Sequence, residues 1–188
     1  MDETRKEGKK EFEPRFTSEL FAWGESLMGV LIAFVIIFTF VVRLFGVDGM
    51  SMYPTLEDHS IMLVSNLAYT PERGDVVVLR KEGFYRDQPI VKRIIATEGQ
   101  TVDIDFGDGV VYVDGKALDE PYVNEPVHDR ENFEGKITVP EGCVFVMGDN
   151  RNASTDSRDA RLGCVDERYI MGRVYFTLFP VKNIGVVK

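Results

Sequence analysis

Histidine and cysteine are scarce in this sequence: His59 and His128 are the only histidines, Cys143 and Cys164 the only cysteines. Two cysteines are too few for a disulfide scaffold and do not fix the redox compartment; they can pair or stay free. No Cys/His spacing fits zinc, no G-x-x-x-x-G-K-S/T run can cradle a phosphate, and no repeat of roughly 20–50 residues occurs. Nothing in the chain calls for a metal or other cofactor. Basic residues are outnumbered, 22 against 31 acidic ones, and the net charge of −9 argues against nucleic acid as a partner. The G-x-S-x-G elbow of many hydrolases is missing too, because the position two after Ser51 is Tyr53. What the chain does have is apolar content, 44% of its 188 residues, enough for one domain with accessories and too much for wholesale disorder.

One segment concentrates that content. Ser26–Val42, "SLMGVLIAFVIIFTFVV", carries no charge. A bilayer needs about 20 mostly apolar helical residues, within a range of about 17–25. The segment spans it if Trp23, Arg43 and Phe45 act as interfacial ends, with the Arg43 side chain reaching back to water. A buried core helix is the alternative. A cleaved signal peptide would have an apolar region of only about 7–15 residues and a small-residue cleavage site; "VVRLFGVDG" offers none. The expectation is an uncleaved anchor. Arg5, Lys6, Lys9, Lys10 and Arg15 precede it, and after Arg43 the next basic residue is Arg73. Because positive charge stays inside, residues 1–22 read as a cytoplasmic tail, 23–46 as the membrane anchor and 47–188 as a translocated domain.

That domain is strand-like and punctuated by turns. "SIMLVSN", "DVVVLRK", "PIVKRIIAT", "GCVFVMG" and "YIMGRVYFTLFP" read as strands, with a short turn near "VDERYI". "TVDIDFGDGVVYVDGKAL" alternates apolar and polar residues, and "VDGK" signals a two-residue hairpin. The fold class is mainly β: a curled antiparallel sheet or barrel-like sandwich behind a single N-terminal helix. Gly99 to Pro140, rich in Asp, Glu, Gly and Pro, reads as a hairpin-rich excursion from the main sheet.

Three places can carry chemistry. In "VDGMSMYPTL", Gly49 permits a backbone that exposes amide groups, and Pro54 stiffens the chain after Ser51. A serine presented beside free amides supplies a nucleophile and an oxyanion site, although a plain surface-turn serine fits the same stretch. Its base is either a histidine, His59 in "LEDHS" or His128 in "PVHDREN", or a lysine that loses its proton through burial. In "IVKRIIA" a strand puts Lys92 on one face with Ile90 and Ile94, and Arg93 on the other with Val91 and Ile95. An edge lysine reaching water fits that pattern equally. The third place, Met147 to Ala160, packs Asp149, Asn150, Arg151, Ser154, Asp156, Ser157 and Arg158 into ten residues. It is an exposed polar loop or a source of oxygens that orient a buried amine.

Together these stretches resemble the type I signal peptidases, the membrane-bound serine proteases that remove signal peptides. The resemblance runs from the anchor to about Phe179 and rests on "GMSMYPTL", "RGDVVVL", "VKRIIA" and "GDNRNASTDSR". The short domain with "SMYPTL" is similar to the Gram-positive form. The resemblance implies Ser51 as nucleophile, Lys92 as general base and Ser154 as hydrogen-bond partner of the lysine amine. It further implies a supporting ion pair of Asp156 with Arg158, and an oxyanion site from the Ser51 amide plus the backbone of Gly49. Its partners would be secretory preproteins, membrane lipid and the translocation machinery. The chain departs from the family pattern at "TEGQ", where a Leu-Pro-Gly-Asp turn is usual, and in the spacing of "DSRDARLG". Two other readings are a Ser-Lys peptidase dedicated to one substrate class such as pilins, and a non-enzymatic anchored β domain for binding. With Ser51 six residues beyond Phe45, at about 3.3 Å each, the nucleophile sits within roughly 20 Å of the anchor's end. Met50, Met52 and Tyr53 are then expected to form an apolar rim facing lipid or substrate.

Overall fold

The computed structural model describes residues 14–187, so Arg5, Lys6, Lys9 and Lys10 lie outside the described residues. The chain divides into two compact units, residues 1–40 and 41–188. In the first, helix α1 spans Pro14–Ile36 and continues into a π-helical turn, Ile37–Val41. Glu19–Thr39, with a mean hydropathy of 2.1, is long and apolar enough to cross a membrane; 21 residues at about 1.5 Å each give about 31 Å. The helix starts before the expected anchor and the anchor's last residues are not helical. Arg43–Gly46 instead forms strand β1. The apolar run alone cannot mark that boundary, because a membrane helix and a half-covered strand both favour such residues.

The second unit is built on two antiparallel sheets. The larger contains β1, β2 (Ile61–Ser65), β11 (Ile170–Phe179), β3 (Val76–Leu79), β4 (Ile90–Thr97), β9 (Cys143–Met147) and β10 (Val165–Asp166) in that spatial order. β12 (Gly185–Val186) pairs with β11. The excursion forms a sheet of its own, in the order β7 (Lys116–Ala117), β6 (Val110–Val113), β5 (Thr101–Asp105) and β8 (Ile137–Thr138). Local sequence explains the small sheet well. The alternation of "TVDID" buries Val102 and Ile104 and leaves Asp103 and Asp105 in water. Asp114 and Gly115 both adopt positive φ, as a two-residue hairpin requires. The turn near "VDERYI" is a 3-10 turn, Glu167–Tyr169.

All four residues of β3 are buried, and Ile94, Ile95 and Ala96 of β4 are fully so. Both faces of the central strands are therefore covered, the environment that favours β-branched runs over alternation. On one side Ile90 and Ile94 pack with Val77, Leu79, Val144 and Val146. On the other, Ile95 and Ala96 join Phe145 and Met147 to the small sheet's Val102, Ile104 and Val111. Phe133, from the segment between β7 and β8, meets Phe145 edge-on at 5.8 Å.

Candidate active site

The segment after β1 is closed at its base by two backbone bonds, Val47 N to Ser60 O at 2.8 Å and His59 N to Val47 O at 3.0 Å. Met52 and Leu56 are each 1% exposed and pack with Val47, Met62, Val64 and Val174. Ser51 is thus carried on a loop whose next residue is driven into the core. This corrects the apolar rim expected from the sequence: Met50 and Tyr53 are exposed, while Met52 is buried because Leu56 and β2 cover it. The Tyr53–Pro54 bond is cis. Asn150 clamps the loop from across the site, its amide N donating to Ser51 O at 3.0 Å and its Nδ2 to Met50 O at 3.1 Å.

Lys92, in the middle of β4, is 3% exposed, so it does not reach water as an edge lysine would. Its Nζ donates to Ser51 Oγ at 2.8 Å. Burial pulls the ammonium's pKa down to about 8. The negative charges of Asp156, Glu131 and Asp149 pull it up again, and Arg158 pushes it down, but desolvation dominates. Neither histidine is joined to the serine among the described residues. His59, with its side chain 82% exposed, lies against Asp58 at 3.3 Å, and the His128 ring nitrogen Nδ1 lies 2.9 Å from Phe106 O.

The polar run after β9 folds beneath this pair. Asp156 is fully buried; its Oδ2 accepts from Ser154 Oγ and from Gly148 N, both at 2.9 Å. Its Oδ1 accepts from Arg158 Nε at 2.8 Å, forming the expected ion pair. Ser154 Oγ thus donates to Asp156, and among the described residues the Lys92 amine bonds Ser51 Oγ rather than Ser154, the partner the resemblance implies. Gly148 is required by space: a Cβ there would strike the Ser154 side chain and the Ser51 carbonyl oxygen. Gly49 is required by conformation, at φ 98°. Its N–H donates to Asp58 Oδ1 at 2.8 Å, so that amide is engaged and cannot serve an oxyanion as expected. The Ser51 N–H has no such partner among the described residues.

Several residues that hold the site were not singled out from sequence. Arg93 is 1% exposed and grips Asp149 with two bonds, 2.8 and 2.6 Å, while its guanidinium stacks 3.9 Å over the Tyr122 ring. Asp149 Oδ2 also accepts from Thr55 at 2.5 Å, which ties β4 to the nucleophile loop. The connection between β7 and β8 straps the other side. Glu120 pairs with Arg151 at 2.6 Å, Asp129 O accepts from Arg158 at 2.6 Å, and Glu131 accepts from Asp156 N at 3.4 Å. Burial pushes the Glu131 carboxyl up, with the Asp156 charge adding to it. The useful signal in the sequence was a surplus of acidic residues in a segment flanking a strand end, which is too general to single out one of them. Cys143 and Cys164 remain free thiols.

A groove of about 210 Å³ opens at the serine, walled by Gly46–Ser51 on one side and by Gln88–Lys92 with Tyr85 on the other. β4 pairs with β3 through Ile90–Arg93, but with β9 only from Arg93 onward. The Ile90–Lys92 edge facing the groove is therefore free of a strand among the described residues.

The profile of the family described as signal peptidase, peptidase S26, matches residues 20–179. The chain belongs to the signal peptidase family. Signal peptidase I of Bacillus licheniformis is 35% identical over 177 residues, covering 89% of this chain and 92% of that protein. Signal peptidase I T of Bacillus subtilis is 33% identical, with 98% and 96% covered. Signal peptidase IB of Staphylococcus aureus is 34% identical, with 86% and 91% covered. Membership makes this a serine peptidase, and with the apolar N-terminal helix a membrane-anchored one. The reading as a non-enzymatic binding domain is set aside.

Proposed function

We propose that Ser51 and Lys92 form the cutting centre of an endopeptidase that removes signal peptides from translocated preproteins. The observation that carries this is the 2.8 Å contact of a fully enclosed lysine amine with Ser51 Oγ at the head of an open groove. With a pKa of about 8, about a tenth of the lysines are neutral at pH 7. The neutral amine accepts the Ser51 proton as Oγ attacks the carbonyl carbon of the scissile bond. The Ser51 N–H, which has no hydrogen-bond partner among the described residues, holds the developing oxyanion. The lysine ammonium then gives its proton to the leaving amine, and a water, deprotonated by the same lysine, releases the acyl group from Ser51. Ser154, Asp156 and Arg158 hold the floor beneath the amine; Gly49 shapes the loop through its backbone rather than donating to the oxyanion.

The substrate adds as an extended strand on the free Ile90–Lys92 edge, with small side chains at the first and third positions before the cut. The apolar helix around Glu19–Thr39 anchors the chain in the membrane once, with the residues before it in the cytoplasm and the β domain, strand β1 included, outside. Lipid and the translocation machinery are its neighbours there. The positive charges before the helix support this orientation. Two experiments test the proposal. The purified chain should cut a preprotein at its small-residue site while Ser51→Ala leaves it intact; equal cutting by both would end the assignment. Protease added outside intact cells should digest the domain after Val47, and its protection would reverse the orientation.

A further inference from the structure

The connection from β3 to β4, residues 80–89, contains three consecutive non-glycine residues at positive φ: Tyr85 at 46°, Arg86 at 57° and Asp87 at 59°. L side chains seldom enter this region even singly. The sequence shows why the chain turns so tightly. Phe84 is 5% exposed and packs in the same core cluster as Val77, Leu79, Ile90 and Leu162. The backbone therefore dips into the core at residue 84 and must return within a few residues to begin β4 at Ile90. Asp87 closes the turn, its Oδ1 accepting from Gly83 N at 2.7 Å and its own N donating to Phe84 O at 2.9 Å. Gln88 N donates back to Tyr85 O at 3.2 Å. Such conformations persist only where the surroundings hold them, and they cluster at sites that grip ligands. Here the outcome is that Tyr85, 58% exposed, stands on the wall of the groove that ends at Ser51 and Lys92.

Its place along that groove follows from strand geometry. A strand laid on the β4 edge advances about 3.3 Å per residue. If the cut lies level with Lys92, Ile90 faces the third residue before it and Gln88, with Tyr85 beside it, the fifth, about 13 Å away. A substrate strand running parallel to β4 lays the segment before the cut there. The surroundings fix the chemistry. Tyr85, Pro89 and the half-exposed Met50 offer apolar surface, while Asp48 on the facing wall repels a carboxylate. We infer that Tyr85 is a specificity-determining residue that receives the side chain of the fifth residue before the cut and favours a bulky apolar one. This rests on the reading of Ser51 and Lys92 as the cutting centre and of β4 as the substrate's edge.

The test uses two preprotein-derived peptides with alanine at the first and third positions before the cut, differing only in Leu or Asp at the fifth. The full chain in detergent is assayed as wild type, Tyr85→Phe, Tyr85→Ala and Ser51→Ala. The wild type should favour the Leu peptide by about tenfold in kcat/KM, mainly through KM. Tyr85→Phe should keep that ratio. Tyr85→Ala should bring it near unity by raising KM for the Leu peptide, whereas general loosening of the fold would slow both peptides alike and keep the ratio. An unchanged ratio in an active, serine-dependent Tyr85→Ala enzyme overturns the role of Tyr85 alone, as does a ratio that responds only to residues after the cut. Cleavage by Ser51→Ala overturns the cutting centre, and this inference with it.

Discussion

Replacing Lys92 with methionine should stabilise the folded protein at neutral pH while abolishing cleavage. The side chain is 3% exposed, and burial brings its pKa to about 8, against about 10.4 for a lysine in an unfolded chain. Below pH 8 both states carry the proton, and the folded state bears the full cost of an enclosed charge. As pH rises through 8 the folded state releases its proton first. The unfolded state then binds more protons, so stability climbs until about pH 10.4 and levels beyond it. The gap of somewhat more than two pH units, at about 1.4 kcal/mol each, makes that cost about 3 kcal/mol. Methionine matches the lysine stem in volume and removes the charge, but gives up the bond to Ser51, a loss of about 1 kcal/mol. A net gain of about 2 kcal/mol at pH 7 is expected, falling to about zero at pH 10. Urea titrations of the full chain in micelles, followed by the tyrosine near-ultraviolet circular dichroism of the β domain, measure it at both pH values. A Lys92→Met protein less stable than wild type at pH 7, or a gap that does not shrink with pH, would refute the reasoning.

Gly148→Ala should lower kcat about a hundredfold, since its Cβ would push apart the Ser154 side chain and the Ser51 carbonyl; a near-normal kcat would show that the loop yields freely. Arg158→Met leaves the Asp156 carboxylate buried without its guanidinium and should cost about 3–5 kcal/mol in urea titrations, with a loss under about 1 kcal/mol counting against that pair as a support. Substrates with Phe in place of Ala at the first or third position before the cut should be cleaved at least about a hundredfold more slowly; equal rates would contradict the proposed strand addition.

The parts of the site that sequence made legible are those set by near neighbours. The Gly49-to-Pro54 turn and the Ile90, Lys92, Ile94 alternation are local patterns, and the structure places a serine and an enclosed amine where they point. What remained hidden depends on distant partners. Arg93 looked like the outward side of a strand, and only Asp149, 56 residues later, and Tyr122 make it a buried clasp. Met52 looked like part of a rim because nothing nearby says that Leu56 and β2 will cover it. Gly49 looked like an open amide until Asp58 returned to claim it. The strand Arg43–Gly46 was lost in the apolar run before it, since hydrophobicity does not say whether the partner is lipid or β2. The fold class was legible throughout because alternation and turn residues recur every few positions.

The most direct test of the Ser51–Lys92 assignment is the pH dependence of kcat/KM for preprotein cleavage between pH 6 and 10. With a lysine base of pKa about 8, the rate should rise about fivefold from pH 7 to 8, as the neutral share grows from about a tenth to about a half, and level off above about pH 9. The curve should be unchanged when His59 and His128 are both replaced by alanine, and Lys92→Arg should be nearly inert because guanidinium keeps its proton throughout. A rising limb near pH 6.5 that disappears with the histidines, or near-normal turnover by Lys92→Arg, would contradict the account.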